Sequence, residues 1–374
     1  GAVHRAAAAL DGEIDLVAGA FSSDPEKSQQ QGENLHLDPD RVYGSYEEMA
    51  EREAERPPHE RIDFVTIVTP NHLHFPVART FIDHGFHVVC DKPVTTTLEE
   101  AETLCRMVDD HDVVFALTHN YTGYPLVKHA RALVHGGQIG ALRRVVCEYP
   151  QGWLAEPLEE EGNKQASWRT DPSKAGAGAL GDIGTHAENL VRYVTGRRLT
   201  RLCADVGTVV DGRAVEDDVS MLCRWEGDGD GAVRGVLYCS QISQGEENNL
   251  RLRVYGTDGS VDWRQEDPHR LLVRRNGEPQ EVHTHGSDYL ADAALHHTRL
   301  PPGHPEAFIE AFANVYRSAG RTIAARIAGE EPDPYDLDFP SVQDGAVGVH
   351  FIETALESGR QEAWVDATYT PPGA

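Results

Sequence analysis

The sequence has no long apolar run. None of its apolar stretches approaches the roughly 20 residues that a helix needs to span a bilayer, and nothing at its beginning resembles a signal peptide. We therefore expect no membrane association and a cytoplasmic location. The 374 residues are enough for two domains, and the apolar fraction of 40% is enough to build their cores.

Positive charge is also scarce. The chain has 34 Lys and Arg residues against 61 Asp and Glu residues, and its net charge is −27. Both signs are spread along the chain, so no basic tract stands out. Because such a surface repels phosphate backbones and anionic lipids, we do not expect it to bind nucleic acid or a membrane.

Cysteine and histidine do not occur in metal-binding patterns. The six cysteines lie far apart without a C-x-x-C pair, which favours reduced thiols in a cytoplasmic protein. The nineteen histidines include no helical H-E-x-x-H motif, and their close pairs fall in loop-like segments. The sequence therefore predicts no metal site.

The first 120 residues alternate short apolar strands with amphipathic helices. Strands are predicted at residues 15–21, 64–68, 87–90 and 113–117, with helices beginning near residue 24 and at 45–56, 76–84 and 97–111. Ser45 and Thr97 are suitable helix caps, each followed three residues later by a glutamate. Buried β-branched strands between helices predict a parallel, doubly wound α/β domain over residues 1–120.

The pattern changes after residue 120. Helices are predicted at residues 124–135, 182–195, 305–328 and 341–357, and strands at 142–149, 202–209, 219–225, 233–240, 250–255, 260–263 and 271–274. Hairpin-type turns separate the later strands, at residues 227–231, 257–259 and 276–277. Residues 121–374 are therefore expected to form an α+β domain with a large antiparallel sheet.

The expected phosphate-binding turn is missing. A dinucleotide-binding fold opens with a strand and a G-x-G-x-x-G turn that holds the pyrophosphate at a helix N-terminus, whereas this chain runs from Gly1 straight into an alanine-rich helix. We hypothesise that the first strand and the glycine-rich turn are absent because the sequence is incomplete. Gly1 would then stand at or near the last glycine of that turn.

The position that reads the cofactor ribose is also unusual. Many NAD enzymes place an acid at the end of the second strand, but here that end carries Ser22 and Ser23. These serines do not repel a 2′-phosphate, and Lys27 could approach one, which would allow NADP. Asp24 favours NAD if its carboxylate turns inward. The choice between NAD and NADP stays open.

Lysine is rare, which draws attention to Lys92 at the end of an apolar strand. Only five lysines are present, and Lys92 stands between Asp91 and Pro93. Ninety residues later, Asp182 and His186 are spaced to share a helix face. A lysine, a carboxylate and an imidazole can move a proton off an alcohol while a hydride leaves its carbon. The alternatives to these catalytic roles are that Lys92 is merely an exposed charge and that Asp182 caps a helix.

Three segments together resemble a known family. The segments 69–74 (TPNHLH), 85–93 (GFHVVCDKP) and 181–186 (GDIGTH) are similar to the glucose–fructose oxidoreductase/inositol dehydrogenase (Gfo/Idh/MocA) family, with Asp91 where Glu is usual. Segments 119–124, 149–153 and 303–306 resemble a subgroup acting on sugars or glycosides. The resemblance implies a Rossmann-type domain, a C-terminal sheet used for oligomerisation, and an enzyme that oxidises a sugar, polyol or glycoside with NAD or NADP as a homodimer or homotetramer.

The resemblance also implies roles for individual residues. Lys92 would hydrogen-bond the reacting hydroxyl, His186 would accept or relay its proton, and Asp182 would orient His186 or hold a substrate hydroxyl. The residues that would line the cofactor are Thr69, Pro70, Asn71, His74, Asp91 and Asn120. Loop aromatics and polar side chains suited to a sugar ring are Tyr121, Tyr124, Trp153, Trp168, Arg169 and His304.

Two other functions remain open from the sequence. One is redox-neutral chemistry, in which a tightly held NAD is reduced and reoxidised within one cycle of elimination, epimerisation or glycoside cleavage. The other is a non-catalytic regulator that binds cofactor and sugar. The Lys92, Asp182 and His186 set argues against a regulator, because binding alone does not need groups that transfer protons.

Overall fold

A small parallel sheet forms the centre of the N-terminal part. The computed structural model describes residues 1–227 and 231–374. In it, β1 (Phe64–Ile67), β2 (His87–Cys90) and β3 (Phe115–Leu117) pair side by side in parallel. The connections β1–β2 and β2–β3 contain the helices α4 (His74–Asp83) and α5 (Leu98–His111). This confirms the predicted α/β alternation.

Helices cover both faces of this sheet. One face packs against α3 (Tyr46–Ala54), α4, α5 and α12 (Val342–Gln361), and the other against α1 (Ala2–Ala9) and α11 (Phe308–Ala328). Burial on both faces is what a parallel sheet requires. Two of the covering helices, α11 and α12, come from the C-terminal end of the chain.

The helix starts follow the sequence signals. Asp24 accepts backbone N–H groups at the start of α2 (Pro25–Asn34), and Ser45 and Thr97 do the same for α3 and α5. The Glu48 carboxylate accepts the N–H of Gly44, one residue before the position expected in a capping box.

The strand predicted at residues 15–21 is wrong. The segment lacks a ladder, and its β contact among the described residues is one isolated parallel bridge between Gly19 and Val42. Leu16 and Val17 are exposed. A strand is defined by hydrogen bonds to neighbouring strands, so an apolar run of suitable residues does not make one by itself.

The C-terminal part is built on a nine-stranded sheet. Its strands are β4 (Leu142–Pro150), β5 (Leu199–Gly207), β6 (Asp218–Trp225), β7 (Val233–Ser240), β8 (Arg251–Gly256), β9 (Gly259–Arg264), β10 (Arg270–Arg275), β11 (Glu281–Thr284) and β12 (Val365–Asp366). Their order is β11-β10-β9-β8-β4-β7-β6-β5-β12. The helices α6 (Pro125–His135) and α9 (Thr185–Thr195) contribute to the core that covers one face.

The prediction of a purely antiparallel sheet is corrected to a mixed one. Strand β4 lies between β7 and β8, parallel to β7 and antiparallel to β8. The long connection between β7 and β8 leaves room for β4 to insert, which a succession of strands in the sequence cannot reveal. Strand β11 was not predicted because its polar, exposed residues lack an apolar alternation.

Two of the three predicted turns can be compared with the structure. The turn at residues 257–259 joins β8 to β9, and the one at 276–277 joins β10 to β11. The predicted turn at 227–231 includes residues 228–230, which lie outside the described part of the chain. Among the described residues, no helix is both long and apolar enough to cross a membrane.

Candidate active site

The loops after the three parallel strands carry the residues singled out in the N-terminal part. Thr69, Pro70 and Asn71 follow β1, Asp91 and Lys92 follow β2, and His119 and Asn120 follow β3. Since parallel strands end at the same edge of the sheet, these loops meet there. Ligands of open α/β sheets bind outside this edge.

Lys92 forms an ion pair with Asp182 across the two parts of the chain. Lys92 Nζ lies 2.9 Å from Asp182 Oδ1 and also donates to the Asp182 carbonyl oxygen. The two side chains are 13% and 20% exposed, so both can still be reached from a cleft. The pair is therefore a charged group placed where a ligand can meet it.

Two further side chains hold the Asp182 carboxylate. Gln241 Nε2 donates to Asp182 Oδ2 at 2.7 Å, and Arg169 Nε lies 3.4 Å from the same oxygen. Burial acts to raise the pKa of Asp182, but the charges of Lys92 and Arg169 outweigh it and keep that pKa below its ordinary value. Asp182 is therefore an anion that holds the Lys92 ammonium in place.

Asp182 lies in a π-helical turn at Leu180–Gly184, directly before α9. Glu216 anchors this turn, because its side chain accepts the N–H of Leu180 at 3.0 Å and its carbonyl oxygen accepts that of Ala179 at 2.9 Å. Such turns inside helices occur often at functional sites. The sequence predicted a regular helix here, because the period of a π turn is not visible in six residues.

His186 is buried and contacts a second histidine. Its Nδ1 lies 3.3 Å from His119 Nδ1, and the edge of the Tyr121 ring meets it with centroids 4.8 Å apart. Burial, together with the charge of Lys92, holds the pKa of His186 well below its ordinary value. His186 is therefore neutral, and its polar partner is His119 rather than Asp182.

A chain of polar and aromatic side chains forms one wall of the site. The hydroxyl groups of Tyr121 and Tyr149 hydrogen-bond each other, and Asn248 Oδ1 accepts from Tyr149 at 2.6 Å and from Gln151 at 2.7 Å. Trp153 Nε1 donates to Gln151 Oε1 at 3.0 Å. The wall therefore connects Trp153 to the ring that contacts His186.

Arg169 lies between the Trp153 end of this wall and Asp182. Its guanidinium stacks over Trp168 at 4.3 Å and lies 6.0 Å from the Trp153 ring, while its Nε faces Asp182. Aromatic faces beside charged hydrogen-bonding groups suit a ligand that has both C–H faces and hydroxyl groups. The structure thus brings Trp153, Trp168 and Arg169 to the Lys92–Asp182 pair.

Three buried polar atoms in the loops after β1 and β3 have no hydrogen-bond partner among the described residues. They are Thr69 Oγ1, His72 Nδ1 and Asn120 Nδ2. An unpaired buried polar atom costs free energy, so such atoms point to a ligand that would satisfy them. They lie in the loops after β1 and β3, on either side of Lys92, and they fit a nicotinamide cofactor at the sheet edge.

The other residues of this edge hold the loops together. His74 is buried, with Nδ1 2.8 Å from the Pro93 carbonyl and Nε2 3.0 Å from that of Thr69, so it ties the loops after β1 and β2. Asn71 Nδ2 donates to the Ala175 carbonyl at 2.9 Å and thereby joins the two parts of the chain.

Asp91 is a second anion at this edge. It accepts from Thr118 Oγ1 at 3.0 Å and lies 3.5 Å from His4 Nε2. Burial acts to raise its pKa, but the hydrogen bond and charge of His4 and the charge of Lys92 lower it well below the ordinary range. Asp91 therefore links α1 to the loop that carries Lys92.

The residues predicted for the distal part of the cofactor lie on the surface around α1 and α2. Gly1 is the N-cap of α1. Ser22 Oγ accepts the N–H of Asp24 at 3.1 Å, and Lys27 Nζ pairs with Asp24 at 3.0 Å. Ser23 follows Ser22 and lies in a bend with Asp24.

Tyr124 and His304 are the remaining residues predicted for substrate contact. Tyr124 is buried, stacks on the Tyr121 ring of the wall with centroids 6.2 Å apart, and packs against Trp263 at 5.2 Å. His304 is exposed in a turn, where its N–H donates to the Pro301 carbonyl at 3.2 Å. Whether either touches substrate stays a prediction.

Sequence reasoning missed three polar neighbours of the site. His119 and Gln241 each follow a strand closely, and Tyr149 is the penultimate residue of β4. For His119 the position after β3 was a usable signal, because residues after the strands of an open α/β sheet face its ligand edge. The order of strands needed to place Gln241 beside Asp182 was not available.

The fold and the site define a dinucleotide-dependent oxidoreductase. Residues 2–119 match the model of an oxidoreductase family with an NAD-binding Rossmann fold, and residues 127–262 match the GFO/IDH/MocA C-terminal domain. The uncharacterized oxidoreductase YfiI of Bacillus subtilis is 31% identical over 97% of this chain and 92% of its own. The chain belongs to the Gfo/Idh/MocA family and uses NAD or NADP.

Solved structures agree with this assignment. An oxidoreductase from Sinorhizobium meliloti is 43% identical, with a TM-score of 0.88 over 98% of this chain and 96% of that one. An inositol dehydrogenase homolog from Azotobacter vinelandii, complexed with NAD+, is 34% identical, with a TM-score of 0.91 over 98% and 93%. The same homolog has been solved with NADH and myo-inositol, with a TM-score of 0.87 to this chain.

Proposed function

We propose that this enzyme oxidises a secondary alcohol of a sugar, inositol or glycoside with NAD or NADP, or reduces the corresponding ketone. The observation that carries the proposal is the Lys92–Asp182 pair, which lies at the ligand edge of the sheet together with neutral His186. The myo-inositol bound by the Azotobacter vinelandii homolog supports a polyol-like substrate.

Lys92 is proposed to bind the oxygen of the reacting alcohol. Its ammonium group, held by Asp182, would donate a hydrogen bond to that oxygen and stabilise the negative charge that develops on it. Asp182 would keep the ammonium oriented. A fixed cation aimed at a developing alkoxide costs no reorganisation during the reaction.

His186 is proposed to take the hydroxyl proton. The substrate carbon loses a hydride and its oxygen loses a proton, so a proton acceptor is needed beside Lys92. His186 is neutral in its buried setting and can serve as that acceptor. In the reverse direction, His186 would return the proton to the alkoxide.

The cofactor supplies the hydride acceptor when it is bound. Thr69 and Asn120 are proposed to hydrogen-bond it through their unpaired atoms, with Pro70, Asn71, His74 and Asp91 shaping that edge. At the far end, Gly1 at the start of α1 would face the pyrophosphate, and Ser22, Ser23 and Lys27 would read the ribose.

The aromatic wall is proposed to bind the sugar ring. Tyr121, Trp153 and Trp168 offer faces or edges to C–H groups, and Arg169 offers N–H donors to hydroxyl oxygens. Tyr124 and His304 are proposed as peripheral contacts. This arrangement favours a neutral, polyhydroxylated ring over a flat or purely apolar substrate.

We also propose that the enzyme is a homodimer or homotetramer joined through the uncovered sheet face. Leu222 on β6 is 51% exposed there and pairs in register with Val236 on β7, which pairs with Val146 on β4. This in-register apolar row would gain by burial against a second copy. Light scattering of the native protein and of Leu222→Lys tests this, and a monomer for both would exclude it.

A cytoplasmic location is part of the proposal. All six cysteines are free, and five of them are buried. Unpaired thiols are typical of proteins in reducing compartments.

The function is tested by measuring reduced cofactor. The purified enzyme would be offered sugars, inositols and glycosides with NAD+ and with NADP+, and we expect net reduction of one cofactor by at least one secondary alcohol. Product formation without net reduction, by protein that carries its own cofactor, would show redox-neutral chemistry instead. Binding without any product would show a regulator.

A further inference from the structure

The contact between His119 and His186 restricts where their protons can be. The two Nδ1 atoms lie 3.3 Å apart, both side chains are buried, and the rings meet edge to face. A hydrogen bond between two imidazole nitrogens needs one N–H and one lone pair. Burial keeps both rings neutral, since it lowers the pKa of His119 to about 3 and that of His186 well below its ordinary value. One Nδ1 atom of the pair therefore carries a proton and the other does not.

The two possible arrangements differ in what His186 can do. If His119 donates, His186 carries its only proton on Nε2 and has no free lone pair for a substrate proton. If His186 donates, its Nε2 has a free lone pair. Because Nδ1 is occupied by His119, Nε2 is the ring nitrogen left for a ligand, and only the second arrangement makes it a base.

We propose that His119 is a positioning residue, which accepts a hydrogen bond from His186 Nδ1 and holds His186 in the tautomer whose Nε2 accepts the substrate proton. This inference rests on the proposed function, in which His186 is the proton acceptor. During oxidation, the hydroxyl proton would move to His186 Nε2, and the bound cofactor would supply the acceptor for the hydride that leaves carbon. The imidazolium that forms still donates through Nδ1 to His119, which keeps its own proton on Nε2.

Burial is the main cause of the lowered pKa of His119, and charges of both signs surround the pair. Lys92 faces both rings from the loop after β2, and Arg192 on α9 adds a second cation near His119. Asp344 on α12 and Asp91 act in the opposite direction, but Asp344 is bound by Arg192 at 2.5 Å. Tyr121 and Tyr149 contact His186 through neutral rings. A neutral ring with its proton on Nε2 is the acceptor that the proposal requires.

The tautomer can be measured without any turnover. Long-range 15N–1H spectra of histidine-labelled enzyme distinguish protonated from unprotonated ring nitrogens, and the signal of His186 is assigned by its loss in His186→Asn. We expect the Nδ1–H tautomer for His186 and the Nε2–H tautomer for His119. The opposite pattern would overturn the proposal, and either result stands even if no sugar is turned over.

Two variants of His119 separate positioning from packing. Asparagine offers an oxygen that can accept from His186 Nδ1, whereas phenylalanine fills the space without any acceptor. We expect His119→Asn to keep kcat within a few-fold and His119→Phe to lose about 100-fold. His186 in His119→Phe should shift towards the Nε2–H tautomer, with the KM for the cofactor unchanged.

A second histidine pair, of which only His129 is fully buried, provides the control. His129 Nε2 on α6 lies 2.8 Å from His283 Nδ1 on β11. His129→Asn should leave both kcat and the His186 spectrum unchanged. Equal losses in His119→Asn and His119→Phe, or no loss in either, would contradict the proposed role. If His119→Phe does not fold, the proposal is tested by the tautomers in the native spectrum and by the kcat of His119→Asn.

Discussion

Lys92 Nζ and Asp182 Oδ1 are 2.9 Å apart although 90 residues separate them in the chain. The first follows a strand of the parallel sheet, and the second lies in the π turn before α9 of the C-terminal part. The contact therefore exists only when the two parts pack together, and it places a cation and an anion at the edge where the cofactor is expected.

Removal of the Lys92 charge should abolish most of the activity. In Lys92→Met the developing alkoxide loses its cation, so we expect kcat to fall by about 10²- to 10⁴-fold. Binding of the reduced cofactor, measured by fluorescence titration, should survive. Lys174→Met is the matched control, because Lys174 is an exposed lysine that also pairs with an aspartate. Unchanged kcat in Lys92→Met would remove Lys92 from the mechanism.

The low pKa of His186 predicts how kcat/KM for alcohol oxidation changes on the acidic side of its pH profile. Burial disfavours the imidazolium, so the base form persists below the ordinary histidine value of about 6.5. We expect kcat/KM for alcohol oxidation not to fall until the pH is clearly below that value. An acidic limb centred at or above the ordinary value, and unchanged in His186→Asn, would assign the proton to another group.

Arg169 should affect substrate binding more than cofactor binding. Its guanidinium lies between the Trp168 ring and Asp182. In Arg169→Ala we expect the KM for the sugar to rise about tenfold, because the sugar would lose the N–H donors that Arg169 is proposed to offer to its hydroxyl oxygens. Arg169→Lys should recover only part of this, since lysine lacks the planar stacking group. A change confined to the KM of the cofactor would contradict this placement, and Arg360→Ala serves as a surface control.

Glu53 should be important for the stability of the N-terminal part. Its buried carboxylate accepts from Arg41 at 2.6 and 3.1 Å, from the Tyr43 hydroxyl at 2.7 Å and from the Ile62 N–H at 3.1 Å. In Glu53→Gln the Arg41 charge loses its partner, so we expect the free energy of unfolding to fall by about 3 kcal/mol. Urea denaturation measures the change, and Glu51→Gln, an exposed position on the same helix, should be neutral.

Buried histidines should make the enzyme less stable as the pH falls. Burial lowers the pKa of His87 and His129 to about 4 and that of His119 to about 3, all below the value expected in the unfolded chain. The unfolded state therefore binds protons first, and stability that is complete above about pH 6.5 should decrease below it, by up to about 1.4 kcal/mol per pH unit for each such histidine.

This pH dependence is measured by urea denaturation between about pH 7 and pH 5, where free carboxylates remain ionised. His129→Asn should reduce the slope, whereas His304→Asn, at an exposed position, should not. A free energy of unfolding that is constant over this range would show that these rings are protonated in the folded state.

The local structure of this protein follows largely from its sequence. The caps at Asp24, Ser45 and Thr97 set helix starts through hydrogen bonds within three residues, so their effect is readable in the chain. Strands β1, β2 and β3 are short apolar runs between helices, and that alternation predicts a parallel sheet. The segments around Lys92 and His186 that identify the family are likewise local, because each is a run of neighbouring residues that can be read in the chain.

The arrangement of the site was decided by tertiary structure. The insertion of β4 between β7 and β8, and the absence of a strand ladder at residues 15–21, where one isolated bridge joins Gly19 to Val42, depend on which neighbours a segment meets. Gln241 reaches Asp182, and His119 reaches His186, only after the sheets and α9 have packed. A sequence specifies local hydrogen bonds and apolar periodicity, whereas the partner of a buried charge or ring depends on long-range packing. Here that packing joins the sequence-predicted Lys92, Asp182 and His186 to Gln241, which no motif indicated, and to His119, whose motif did not reveal its contact with His186.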